Sequence, residues 1–247
     1  MEGIHITLAA DTLGEFFGIP ITNSLLTTGL VFVLLVLTAF LVGRSPKLIP
    51  GRVQSFFETL FETIFTYMAE TLESRELAKR YFPLIATIFL FVLTANMVTF
   101  LPGIESIGVK EGEHFVPLLR PVNTDLNVTL ALAMISFLVI ELSGIFVLGF
   151  LKYFQKFVTF TSAVGFAVGF LELIGNLARL VSFSFRLFGN IFAGHVLIIV
   201  VIFFVPFILP VPLMLFEVFV GFMQAAIFAL LTLVFVKLAV SPVHEEH

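Results

Sequence analysis

Residues 157–205 read FVTFTSAVGFAVGFLELIGNLARLVSFSFRLFGNIFAGHVLIIVVIFFV, and no proline interrupts them before Pro206. An apolar stretch of roughly 20 residues already crosses a hydrocarbon core of about 30 Å. Two upright spans would need a wet turn in the middle of this run and would put Lys237 outside; a single helix is favoured over them because it keeps the charge rule. A single upright helix is too long: from Ala163 to Ile198 it would reach about 54 Å at about 1.5 Å per residue, so it must tilt by about 55° to fit the core. Such a tilt far exceeds the average for a membrane helix and needs a partner to hold it. The run therefore sets the fold class: an all-α, polytopic helical membrane protein whose long helix is steeply inclined.

Ionisable groups at membrane depth are costly and usually functional. Glu172, Asn176, Arg179, Arg186 and Asn190 fall within about 80° of one another at about 100° per residue, so they form one polar stripe along the helix. His195 points the other way. The Pro-bearing segment 206–212 is short, and short links make antiparallel neighbours. Reflecting the chain about residue 206 brings His195 opposite Glu217, and Arg186 level with Gln224 to Ala226. Arginine stays protonated at any biological pH, whereas glutamate and histidine can be tuned to exchange protons. One permanent cation flanked by titratable groups reads as a proton path with an electrostatic gate. The carboxylate that Arg186 would engage is not evident in the chain, which points to a partner subunit. Glu141 has a simpler reading, a hydrogen bond to a neighbouring helix. Asp125 reads as a helix N-cap after Pro121, and Gly165 with Gly169 as a weak close-packing signal.

Composition agrees with a membrane class. Of 247 residues, 59% are apolar and 12% charged, mean hydropathy is +1.13, and there are no cysteines. A soluble globule, a disordered chain and a disulfide scaffold are all excluded. The 13 Lys and Arg form no basic stripe, so nucleic acid is not an expected partner. A single histidine at membrane depth gives no paired haem ligands, and neither cofactor nor metal is expected. Residues 1–247 are read as one membrane domain, with an external segment 1–23 and a retained span 24–42. Further spans are 82–101 and 128–150, and 163–204 with 213–240 form a long hairpin lining an ion path. In 51–72, Phe57, Leu60, Phe61, Ile64, Phe65 and Met68 share one face, which predicts an amphipathic helix on the membrane surface. No basic residue precedes Arg44, whereas 43–80 holds Arg44, Lys47, Arg52, Arg75, Lys79 and Arg80. The excess of Lys and Arg marks the cytoplasmic side. The N-terminus is thus expected outside and the C-terminus inside after about five crossings. That count also places Lys152, Lys156 and Lys237 inside.

The stretch Ser184 to Gly194, SFRLFGNIFAG, resembles the signature of subunit a of the F-type ATP synthase membrane sector. Residues 121–130 (PVNTDLNVTL) resemble the segment that enters the family's third membrane helix. Glu172 sits where the family carries an acid, and Phe222-Met223-Gln224-Ala225 resembles its last helix. The resemblance covers most of 80–240. It implies two long tilted helices around a ring of c subunits, with Arg186, Asn190 and Gln224 as the family's arginine, asparagine and glutamine. It implies an outer half-channel lined by Asp125, Asn190, His195, Glu217 and Gln224. A second half-channel would lie near Ser182, Glu172 and Asn176, with Arg186 between the two and Arg179 and Glu141 secondary. Some members carry an acid after the signature glycine and a histidine on the last helix; here His195 and Glu217 hold the opposite places. The partners implied are c-ring subunits, peripheral-stalk b subunits, the rest of the F-type ATP synthase and the bilayer. ATP chemistry would sit on other subunits, since this chain has no P-loop. The expected location is a bacterial inner membrane, with an organellar energy-coupling membrane as the alternative. Two rival functions are a self-contained secondary cation/proton antiporter, although no internal repeat is visible, and a non-transporting anchor or scaffold.

Overall fold

The computed structural model describes residues 10–44, 47–100, 107–111, 114–150, 153 and 163–240. The basic residues Lys152 and Lys156, used above for orientation, lie outside them. Among the described residues there are six long helices: α1 (Asn23–Gly43), α2 (Arg52–Leu72), α3 (Arg75–Val98), α4 (Leu126–Leu148), α5 (Ala163–Phe204) and α6 (Pro210–Val240). All except α2 are long and apolar enough to cross a membrane. The chain is accordingly an all-α, multi-pass membrane protein.

Helix starts follow local chemistry. Thr22 Oγ1 accepts from Leu25 N at 3.2 Å and Ser74 Oγ from Leu77 N at 3.3 Å, so each side chain satisfies an amide that the helix leaves unpaired. The cap at Ser74 explains why α3 begins at Arg75 rather than at 82. Asp125 caps α4, its Oδ1 accepting from Asn127 N at 2.9 Å. Two short hairpins that the sequence reading did not anticipate flank the membrane helices. The strands β1 (Thr12–Phe16) and β2 (Ile19–Thr22) pair antiparallel, as do β3 (Gly108–Glu111) and β4 (His114–Pro117). The first turns through Phe17 and Gly18, both at positive φ, the conformation a tight two-residue hairpin requires.

The core lies among α3, α4, α5 and α6, where Val92, Ala133, Leu187, Ala225 and Leu233 are buried. A smaller cluster of Val31, Ala95, Val98 and Val122 ties α1 to α3 and to the 3-10 turn at Val122–Thr124. Much of α1, including Phe32, Leu37 and Leu41, faces outward, as a lipid-facing span does. Helix α2 spends much of its apolar face on protein. Met68 and Leu72 are buried, and Phe61 and Phe65 meet Phe82 of α3 edge to face at 6.0 and 5.7 Å. Val53 and Phe56 stay exposed. Helix α2 is therefore clamped to the bundle.

Polar side chains link the buried helices. Asn96 Nδ2 donates to Gly221 O at 2.8 Å, and Asn123 Nδ2 donates to Asn96 Oδ1 at 2.7 Å. Thr129 and Ser184 share a hydrogen bond of 3.2 Å between α4 and α5. Replacing Asn96 by Leu strands the Asn123 side-chain amide and takes from the Gly221 carbonyl its second donor, while its helical bond remains. A cost of about 1–3 kcal/mol follows for a buried group left unpaired. It should be read as a lower unfolding midpoint in detergent, unlike the outward-facing control Leu37→Ala.

At the other end, Lys237 Nζ meets Glu73 Oε1 at 2.7 Å, fastening α6 to the end of α2. Hydrogen bonding to Lys237, and then its charge, hold the Glu73 carboxyl below its ordinary range. A lowered carboxyl pKa stabilises above the unfolded value and stops doing so as pH falls through the folded one. Native protein and Lys237→Met should therefore differ slightly in detergent melting at neutral pH and converge in acid. The difference stays small because the pair is exposed.

Candidate functional site

At 42 residues, α5 would reach about 63 Å at about 1.5 Å per residue, more than twice a hydrocarbon core of about 30 Å. Its length alone forces it to incline. Its buried arc carries Asn176, Phe183, Ser184, Leu187, Ile191 and Gly194. Arg186 lies outside that arc and is exposed, as are Ser182 and Asn190. The Arg186 guanidinium donates to Ser182 Oγ at 3.3 Å, and among the described residues no carboxylate pairs with it. Gly175, Ala178, Gly189 and Ala193, spaced three, eleven and four residues apart, fall on the same side, which keeps this face free of bulk. A cavity of about 290 Å³ opens there between α5 and α6, with Arg179, Ser182, Arg186 and Phe235 in its wall. The Arg179 guanidinium sits 4.0 Å from the centre of the Phe235 ring, a cation–π contact.

Further along the hairpin, the register of α5 against α6 is marked by Gly194. A Cβ built there would fall onto the carboxyl carbon and both oxygens of Glu217. The absent side chain of Gly194 is thus the space in which the Glu217 carboxyl lies, one residue from His195. Glu217 is buried and His195 half-buried. Gln224, further along α6, is also buried but makes no hydrogen bond to Arg186. Asp125 is buried and uses its carboxylate as the α4 cap.

The N-terminal half of the stripe behaves differently. Asn176 is buried, and its Nδ2 donates to Glu141 Oε1 at 3.1 Å across the α4–α5 seam. The hydroxyl of Tyr153 donates to Glu141 Oε2 in a short hydrogen bond. A Cβ at Gly144 would collide with the Tyr153 ring, so the ring enters where the α4 backbone is bare. Burial pushes the phenol of Tyr153 up, and the hydrogen bond to Glu141 and the charges of Glu141 and Glu172 push it further; Arg179 opposes them. Tyr153 consequently remains an O–H donor. Among the described residues, no cluster of three or more His, Cys, Asp or Glu could hold a metal ion.

Residues 25–237 match the family described as ATP synthase A chain. The chain belongs to that family. It is 35% identical to ATP synthase subunit a 3 of Pelobacter propionicus over 220 residues, covering 88% of this chain and 87% of the relative. With ATP synthase subunit a of Campylobacter jejuni it shares 33% identity over 238 residues, 96% of this chain and 94% of the relative. The Campylobacter fetus protein of that name is 35% identical over 218 residues, with 88% and 89% covered.

For a subunit a chain, the single stripe read from the sequence divides into two environments. Ser182, Arg186 and Asn190 look outward, Asn176 looks into the α4 seam, and Glu172 and Arg179 are half-buried at the border. Sequence reasoning missed Asn96, Asn123 and Tyr153. For Tyr153 a signal existed: the chain uses 33 Phe against 3 Tyr, so a hydroxyl on an aromatic ring is an exception that asks for a partner. Asn96 gave no such signal, because its acceptor lies 125 residues away.

Proposed function

We propose that this chain is the proton-translocating stator subunit of the F-type ATP synthase membrane sector. The observation that carries the reading is Arg186: a permanent cation on the outward face of a membrane helix, with no carboxylate among its described neighbours. A guanidinium so placed is costly unless a counter-charge arrives from outside the chain. The small residues beside it support close approach of another helix, here that of a c-ring subunit bearing a carboxylate. Protons come from outside through a half-channel lined by Asp125, Asn190, His195, Glu217 and Gln224, and neutralise that carboxylate. The ring turns and presents it to a second half-channel near Ser182, Glu172 and Asn176, from which the proton leaves to the cytoplasm. Arg186 stands between the two, favouring the ionised carboxylate as it passes and repelling a proton that would cross directly. The field supplies about 2.3 kcal/mol per charge per 100 mV. Peripheral-stalk b subunits hold the chain against rotation. The N-terminus lies outside and the C-terminus in the cytoplasm of a bacterial inner membrane.

Purification in mild detergent should bring down several copies of a small hairpin subunit with a membrane carboxylate, and the chain reconstituted alone should exchange no cations for protons. Antiport by the isolated chain would overturn the reading.

A further inference from the structure

Glu141 of α4 accepts a hydrogen bond from the hydroxyl of Tyr153. Glu141 is half-buried, and it uses one oxygen for Asn176 and the other for Tyr153. Each of those oxygens keeps a second lone pair on which a proton can sit. A purely structural cross-link would need only a neutral acceptor, and a carboxylate at this depth is the costlier choice. Bare backbone at Gly144 and the burial of Asn176 fix both donors, so the Glu141 carboxyl is held in one place.

We infer that Glu141 is a proton-carrying carboxylate of the cytoplasmic half-channel, with Tyr153 and Asn176 as the residues that position it. The inference rests on the proton path of the proposed function and moves part of its cytoplasmic limb from the face of α5 into the α4–α5 seam. A proton arriving through water from the ring side binds a Glu141 oxygen, and the same O–H bond later breaks to a water on the cytoplasmic side. No electrons change hands, and the carboxylate is regenerated.

The test is passive proton flux through the membrane sector of assembled complexes, in vesicles stripped of the soluble sector. E141Q keeps the shape and the acceptor oxygen for Asn176 but cannot hold a transferable proton. Flux should fall about 100-fold, the lower end for a positioned proton-transfer group. E141D should recover most of it. Flux in E141Q within twofold of native would overturn the inference and leave Glu141 a structural cross-link. Should E141Q not assemble, Y153F decides, since it keeps the ring over Gly144 and loses only the hydroxyl. A threefold or greater fall in flux supports the inference, and unchanged flux overturns it. Arg186→Ala separates the two layers. If it abolishes synthesis while E141Q conducts normally, only the present inference fails; if it leaves synthesis intact, the stator reading fails whatever Glu141 does.

Discussion

Membranes carrying Arg186→Ala should make no ATP from a proton gradient, while hydrolysis by the soluble sector continues at its native rate. The expectation comes from charge. Unit charges about 4 Å apart attract by about 4 kcal/mol at an effective dielectric of about 20. Removing the guanidinium would therefore disfavour the ionised form of a passing carboxylate. The ring carboxylate would stay protonated past the stator, and with the barrier cation gone the two half-channels would leak into one another. Both effects uncouple. Arg186→Lys keeps the charge but not the planar fork, and should leave the leak closed while slowing synthesis. The check is ATP synthesis in inverted vesicles beside passive proton flux in the same preparation. Synthesis at native rates in Arg186→Ala would remove the gate from the mechanism.

Gly194→Ala should be nearly as damaging, although it adds one methyl group. Its Cβ would occupy the volume of the Glu217 carboxyl, which is the mobile end of a flexible side chain. The fold can therefore adjust by swinging the carboxyl aside, and the complex should still assemble with an unfolding midpoint close to native. What moves is the acid beside His195. On the outer path, proton flux should fall at least tenfold, about the loss expected when a proton-transfer group is displaced from its partner. Parallel measurements of assembly, melting and flux decide it. Normal flux in an assembled Gly194→Ala complex would mean that the place of Glu217 is not critical. A shorter acid, Glu217→Asp, in the same background should restore part of the flux by freeing room for the new methyl.

The membrane helices were legible because apolar runs longer than a bilayer need no tertiary information to identify. For the α5–α6 hairpin, reflection about residue 206 sets His195 opposite Glu217, and the carboxyl of Glu217 lies against Gly194, one residue away. A helical wheel, however, gives relative angles and not surroundings. It grouped Asn176 with Arg186, but the first is buried against Glu141 while the second faces outward. Which neighbour covers each arc depends on how α4 crosses α5, and that crossing is set by contacts such as Thr129 with Ser184. The Asn96–Gly221 link and the two short hairpins were hidden for a related reason. Their stability comes from pairings between segments, and short strands leave little periodic signal.

The chain contains no cysteine, so single cysteines can report on the outward face of α5 without background. Ala178 and Ala193 lie on the side of Arg186, whereas Leu177 is exposed on a different side. In intact membranes, Ala178→Cys and Ala193→Cys should form disulfides with cysteines placed next to the carboxylate of the ring subunit, and Leu177→Cys should not. Cross-linking from Leu177 alone, or from none of the three in an assembled complex, would contradict a ring carboxylate passing before Arg186.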